Sequence, residues 1–244
     1  MMRYLMVALF SATAFMSNAQ EKVKHLQPKI GRLLTFDSTE QKLIARRDQL
    51  LALDNRSSTQ ERELNKLLER YPEGYSSIWL TEEEGDCSWY CGGGPYKITA
   101  SSYLVSSGKV NYKPENIHDF GYKAAWAEGV KGYGIGEFAD CHFHSSTPRI
   151  TQVKVANGYV KSEKAWFENS RVKSLKLYVD GKLYAILQLK DTKALQLFDV
   201  PPLLGKKKDG KDWVLRFEIA DVYKGDKYDD TVISEIYFDG IDVH

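Results

Sequence analysis

The chain is poor in cysteine, carries no surplus of either charge, and has one short apolar run. Each shortage excludes something. Three cysteines in 244 residues are too few for a disulfide-built scaffold. Thirty-four Lys and Arg against 33 Asp and Glu leave a net charge of +1, so there is no cation excess to follow a phosphate backbone, and nucleic-acid binding is not expected. The apolar run, residues 4–16 (YLMVALFSATAFM), is too short to span a bilayer, and no other segment approaches about 20 apolar residues. G-x-S-x-G, H-E-x-x-H and a phosphate loop are absent from the sequence. What is present is 43% hydrophobic and 12% aromatic residues, enough apolar surface for a folded core. The aromatic richness favours pleated, half-buried surfaces.

Arg3, the apolar run and the small residues Ser17-Asn18-Ala19 form a secretory signal pattern over residues 1–19. No cysteine follows the cleavage site, which disfavours a lipid anchor. Loss of Arg3 takes the formal charge from +1 to zero. The expected product is secreted or periplasmic. In that compartment two of Cys87, Cys91 and Cys141 are expected to pair. Cys91 could join Cys87 within DCSWYCGGG or reach Cys141, and the sequence does not choose. Cys141-His142-Phe143-His144 could add metal ligands, but an H-x-H on a strand simply places two His on one face. Cys141 and His142, pointing to opposite faces, do not suit a thiol nucleophile with its base.

The region 20–80 reads as an α-helical hairpin. Ser38 with Gln41 and Ser58 with Glu61 form capping boxes, Asp54-Asn55 separates two apolar-periodic stretches, and Pro72 with Gly74 ends the second. Its few apolar residues must dock on the rest of the chain, self-associate or hold a spacing. Residues 81–95 (TEEEGDCSWYCGGGP) are acidic, then glycine-rich, and read as a linker.

From residue 96 the period changes to two. Strands are expected at 97–104, 149–156, 174–180, 183–189, 195–200, 212–221 and 232–238. Leu175, Leu177 and Val179 share one face. Trp213, Leu215, Phe217 and Ile219 do the same, and Asp180-Gly181 signals a two-residue hairpin. Short strands without intervening helices point to a mainly β fold, an antiparallel β-sandwich preceded by the helical hairpin.

Seven ordered blocks then carry a resemblance. They are Ala100–Leu104, Tyr112–Asp119, Ala125–Gly129, Gly132–Glu137, Asn157–Ser162, Asn169–Lys173 and Tyr228–Ile236. With them, residues 96–244 resemble the NADase-type glycan-binding domain, a discoidin-like (galactose-binding-like) β-sandwich family. The resemblance implies a jelly roll and recognition of a glycan rather than cleavage of NAD. It also implies a structural Ca²⁺ between Asp119 and Glu235, helped by Asn116 and by carbonyls near Phe120, Tyr122 and Ser234. Phe120 stands where Gly is common and Ala124 where Ser or Thr is common, two departures that weaken such a site.

Gly132-Tyr133-Gly134-Ile135-Gly136 superficially resembles a dinucleotide loop, but no βαβ unit encloses it. Sugar binding calls for exposed aromatics and planar polar groups on loops. The loop residues that supply them are Trp126, Glu128, Tyr133, Tyr159, Lys161, Trp166, Asn169, Arg171, Tyr228, Asp229 and Asp230. Three functions follow in order. The first is a secreted carbohydrate-binding protein. The second is a non-catalytic interaction module that uses the helical arm for a protein partner or a second copy. The third is a glycoside hydrolase using the acidic residues Glu128, Asp229, Asp230 and Glu235. Trp126 and Trp166 could equally be lids of the core, and Asn169 with Arg171 an internal clamp.

Overall fold

A computed structural model describes residues 23–34, 38–72, 89–105, 108, 110–203, 205, 207 and 209–243. The expected leader, Cys87 and residues 81–88 lie outside the described residues.

Eleven strands and three helices are present among the described residues. The long strands are β5 (Phe138–Phe143), β6 (Ile150–Asn157), β7 (Ser170–Val179), β8 (Lys182–Gln188), β9 (Ala194–Leu203), β10 (Trp213–Tyr223) and β11 (Thr231–Gly240). Short strands complete them: β1 (Lys24–Leu26), β2 (Lys29–Leu33), β3 (Lys97–Ala100) and β4 (Trp126–Ala127). The pairings form two layers. One runs β2-β9-β6-β11-β4, the other β1-β8-β7-β10-β5-β3. They touch at one edge through a parallel contact of Thr231 and Val232 with Ser170 and Arg171. Apart from this contact and β1 with β8, the pairings between strands are antiparallel.

Alternation places the core. Trp213, Leu215, Phe217 and Ile219 of β10, with Leu175 and Leu177 of β7, face Val153, Val155, Phe198, Ile236 and Phe238 from the opposite layer in one cluster. This is the expected sandwich. The β7–β8 hairpin turns at Asp180 (φ 47°) and Gly181 (φ 76°), two successive left-handed residues that match a primed turn and explain the Asp-Gly pair. β11 is the exception to alternation. Its residues 231–238 are all buried. Ile233, Ile236 and Phe238 enter the main core, while Tyr237 packs with Tyr122, Val160 and Trp166 and Val232 with Ala125 and Tyr159. A strand covered on both faces has no polar side to display.

Three expectations need correction. The region 20–80 is not only helical: β1 pairs β8 and β2 pairs β9, so this one short segment adds an edge strand to each layer. The second capping box is Ser57 with Gln60, one residue earlier than expected, and both reciprocal hydrogen bonds are present. Glu61 instead binds Arg56. Residues 89–95 are not linker. Trp89 is buried among Phe143 and Phe238 at ring distances of 6.4 and 6.2 Å. A Cβ on Gly93 would lie 2.9 Å from the Trp89 ring, so that glycine serves close packing rather than flexibility.

The helices α1 (Ser38–Leu51) and α2 (Ser58–Arg70) do form a hairpin. Ile44, Leu50 and Leu64 are buried within it, and Arg46 makes a bidentate pair with Glu63. Buried Arg47 binds the carbonyls of Tyr71 and Pro72 and closes its end.

Of the two pairings the sequence left open, Cys91 with Cys141 does not form, and Cys87 lies outside the described residues. Cys91 is exposed in a short 3₁₀ turn, Cys141 is fully buried in β5, and both are free thiols. Burial pushes the Cys141 thiol well above its ordinary range. His142 points the other way, 2.9 Å from Thr99 Oγ1. Among the described residues no three His, Cys, Asp or Glu side chains gather as a metal cluster.

Candidate functional site

Three parts of the chain meet at one groove: residues 104–105 with 110–112, the connection from β6 through α3 (Glu163–Glu168), and residues 228–230 before β11. They enclose a groove of about 600 Å³. Tyr112, Tyr159, Lys161, Asn169, Tyr228 and Asp230 line it, with Leu104 and Val110 as apolar wall.

Local chemistry sets each piece. Ser162 caps α3 by accepting from the Ala165 N–H at 3.1 Å, and the Asn169 amide donates to the Ala165 carbonyl at its far end. The 225–230 loop is tied to α3 and to β7. The Lys227 and Tyr228 N–H groups donate to Glu168 O, and the Ser170 hydroxyl donates to Tyr228 O. Tyr228, 40% exposed, is thereby held by its backbone while its ring remains accessible.

The polar heads converge on Tyr112. Its ring meets Tyr159 edge-on at 6.0 Å. Burial raises the Tyr112 phenol above its usual range, and Tyr159, Lys161, Asp230 and Tyr228 are close enough to act on its charge. Burial also raises the Asp230 carboxyl, with Asp229 adding to it. The Lys161 ammonium lies 4.6 Å from the Tyr159 ring centroid, and Lys227 lies 4.7 Å from that of Tyr228, both within cation–π range. Three tyrosines thus share the lining with two lysines, Lys161 and Lys164, and two carboxyls, Glu168 and Asp230.

Beneath it lies a scaffold of residues that the sequence offered either as glycan contacts or as lids and clamps of the core. Trp166 is buried, with its indole N–H on Asn157 O at 3.1 Å. The Arg171 guanidinium stacks 4.3 Å from that ring, binds Asp191 through two nitrogens, and donates to the carbonyls of Trp166 and Asn169. Trp166 is therefore a core lid, and Arg171 with the Asn169 carbonyl forms the internal clamp. Trp126 is likewise a core lid. It is fully buried in β4, opposite Ile233, with its indole N–H on Ser102 O at 3.0 Å. Glu128 is buried too and accepts from the N–H groups of Val130 and Thr231 at 2.9 and 3.1 Å. Tyr133 is half-buried beneath Lys224 and accepts the Thr231 hydroxyl through its carbonyl. These three secure the start of β11. Asp229 is exposed beside the groove.

The expected metal residues form a separate constellation. Glu235 is fully buried. Its Oε1 accepts the N–H groups of Asp119 and Gly121 at 3.0 and 3.2 Å, and its Oε2 meets no donor. Burial and the adjacent Asp119 carboxyl push Glu235 well above the usual carboxylate range. Phe120, where Gly is common, has φ 62°, the left-handed conformation that glycine adopts without strain. Its ring packs on Tyr90 and His118 at 5.0 and 4.7 Å. Asn116 turns its amide nitrogen to Asn111 and Ala125 and so shapes the loop.

The sequence expectations did not include Tyr112, which lines this groove. A signal existed: an aromatic two residues before Pro114, inside one of the blocks that carry the resemblance.

The family model of the NAD glycohydrolase translocation F5/8 type C domain matches residues 89–239. Among solved structures, the chain is similar to the CBM32-1 and CBM32-2 domains of Clostridium perfringens ZmpB in complex with GalNAc. Identity there is 12%, over 85% of this chain and 53% of that one, with a TM-score of 0.44. A Ruminococcus gnavus GH29 fucosidase in complex with fucose is similar at 14% identity, over 74% of this chain and 30% of that one, with a TM-score of 0.36. The chain thus spans about half or less of these structures. No curated protein matches it. The match over residues 89–239 covers more than half of the 244, and the chain belongs to the NAD glycohydrolase translocation F5/8 type C domain family.

Proposed function

We propose that this protein is a secreted carbohydrate-binding module that holds a glycan in the groove between Tyr112, Tyr159 and Tyr228. The observation that carries this reading is the convergence of three tyrosines, Lys161 and Asp230 on one backbone-pinned groove. Tyrosine offers an apolar ring for sugar C–H faces and a hydroxyl for sugar hydroxyls. Lys161 donates hydrogen bonds, Asp230 accepts them, and Asn169 does both. The module binds without catalysis. Two of the four acidic candidates, Glu128 and Glu235, accept backbone N–H groups away from the groove, so they do not stand as a carboxylate pair across a glycosidic bond. The leader read from the sequence agrees with action outside the cytosol.

The Asp119–Glu235 constellation suits a hard cation. A buried carboxylate oxygen without a donor, beside a second carboxyl, is a donor set for Ca²⁺. Asp119 and Glu235 would hold it, and bound Ca²⁺ would supply charge neutralisation and a fixed loop.

The test is retention across a glycan panel with Tyr112→Ala and Tyr228→Ala variants. Each is expected to weaken binding at least tenfold while thermal unfolding stays near that of the wild type. Failure of the wild type to retain any sugar, or unchanged affinity in both variants, overturns the reading.

A further inference from the structure

A second groove, of about 560 Å³, adjoins the first. Its floor is β3, the outermost strand of its layer among the described residues. Tyr96 and Tyr103, 49% and 46% exposed, line it with Lys113 and Glu115.

The two grooves share walls at two places. Tyr103 lines the second and its neighbour Leu104 the first; Tyr112 lines the first and its neighbour Lys113 the second. Consecutive Cα atoms lie about 3.8 Å apart, so a single backbone thickness separates the grooves. That ridge is pinned. Leu104 N–H donates to Ala127 O, the Trp126 indole N–H donates to Ser102 O, and Gly129 N–H donates to the Ser102 hydroxyl. Tyr96 at the far side is also fixed, its ring stacked on His144 at 4.1 Å. The pair of grooves thus repeats one pattern: accessible tyrosine, lysine and a carboxylate on a rigid wall.

From this geometry we infer that the two grooves are successive subsites for one oligosaccharide chain, so that the ligand is an extended glycan segment rather than a single terminal sugar. The inference rests on the glycan-binding reading above. A lone sugar would occupy the Tyr112 groove; a chain crossing the ridge would also meet Tyr103, Lys113 and Tyr96. Linked subsites add affinity because the second contact becomes intramolecular.

The experiment is calorimetric titration of the full chain with galacto-, chito- and galacturono-oligosaccharides, each of two and of six residues. In the series that binds, the hexasaccharide is expected to bind at least tenfold tighter than the disaccharide. Tyr103→Ala and Lys113→Ala should each remove most of that gain and leave disaccharide binding unchanged, whereas Tyr112→Ala weakens both lengths. Equal affinity for the two lengths, or hexasaccharide affinity unchanged in both ridge variants, overturns the extended-chain inference and leaves the single-groove reading standing. Absence of binding in all three series overturns both.

Discussion

Trp126→Ala is expected to destabilise the protein by about 3–5 kcal/mol, the usual cost of truncating a large buried aromatic. In a domain of this size that corresponds to a melting temperature lower by roughly 6–20 °C. The reason is position. The indole is fully buried in β4, packs in the cluster shared by both layers, and holds Ser102 by its N–H. Removing it opens a cavity and leaves a carbonyl without its donor. Trp126→Phe keeps most of the volume and should recover much of the loss. Thermal unfolding of both variants measures this directly. Sugar affinity of the folded protein at low temperature should change far less than in Tyr228→Ala. A Trp126→Ala variant that melts with the wild type yet no longer holds sugar would return this residue to the surface.

β3 and β6 to β11 were legible in the sequence, whereas β5 was not expected although its Ala139, Cys141 and Phe143 are buried. β10 alternates in sequence as it alternates in burial, and β7 does so over Leu175, Lys176, Leu177 and Tyr178. β1 and β2 carry no such mark. KHL and KIGRL are short edge strands, and at an edge the backbone supplies the pairing while side chains remain free to be charged. The loops were readable only by composition, and composition does not say which way a side chain turns. Tyr228 and Trp126 have the same signature, an aromatic in a loop block, yet one is exposed and the other lies in the core. Lys161 and Arg171 form the same contrast: each stacks on an aromatic ring, one within the groove and one beneath it. The resemblance marked the segments, and packing decides which of their residues line the groove and which lie beneath it. The glycine-rich stretch at 92–94 misled for a related reason, since glycine marks both a flexible linker and a place where a large ring packs against the backbone.

Calcium is expected to raise the melting temperature of the wild-type chain and to leave Glu235→Gln unmoved. For an extracellular module with a dissociation constant in the millimolar to submillimolar range, calcium at 10–100 times that value stabilises by about 1.4–2.7 kcal/mol. The glutamine side chain retains an oxygen to accept the N–H groups of Asp119 and Gly121 while removing the charge a cation needs. The pH dependence supplies the complementary measurement. In chelator, burial and Asp119 hold the Glu235 carboxyl above its ordinary range, so the folded chain binds that proton more tightly than the unfolded chain does. The resulting stabilisation is complete below the unfolded value of about 4.3 and is lost as pH rises through the folded one. Glu128 and Asp230 are shifted in the same direction by burial, and His118 is shifted downward by burial, which opposes them. The difference between wild type and Glu235→Gln isolates the one group: in chelator, the variant should gain on the wild type from pH 5 to pH 8, and calcium should close the gap by stabilising the wild type alone. A wild-type melting temperature indifferent to calcium at pH 8 would reduce Glu235 to a loop clamp. An equal calcium response in the variant would place the cation elsewhere.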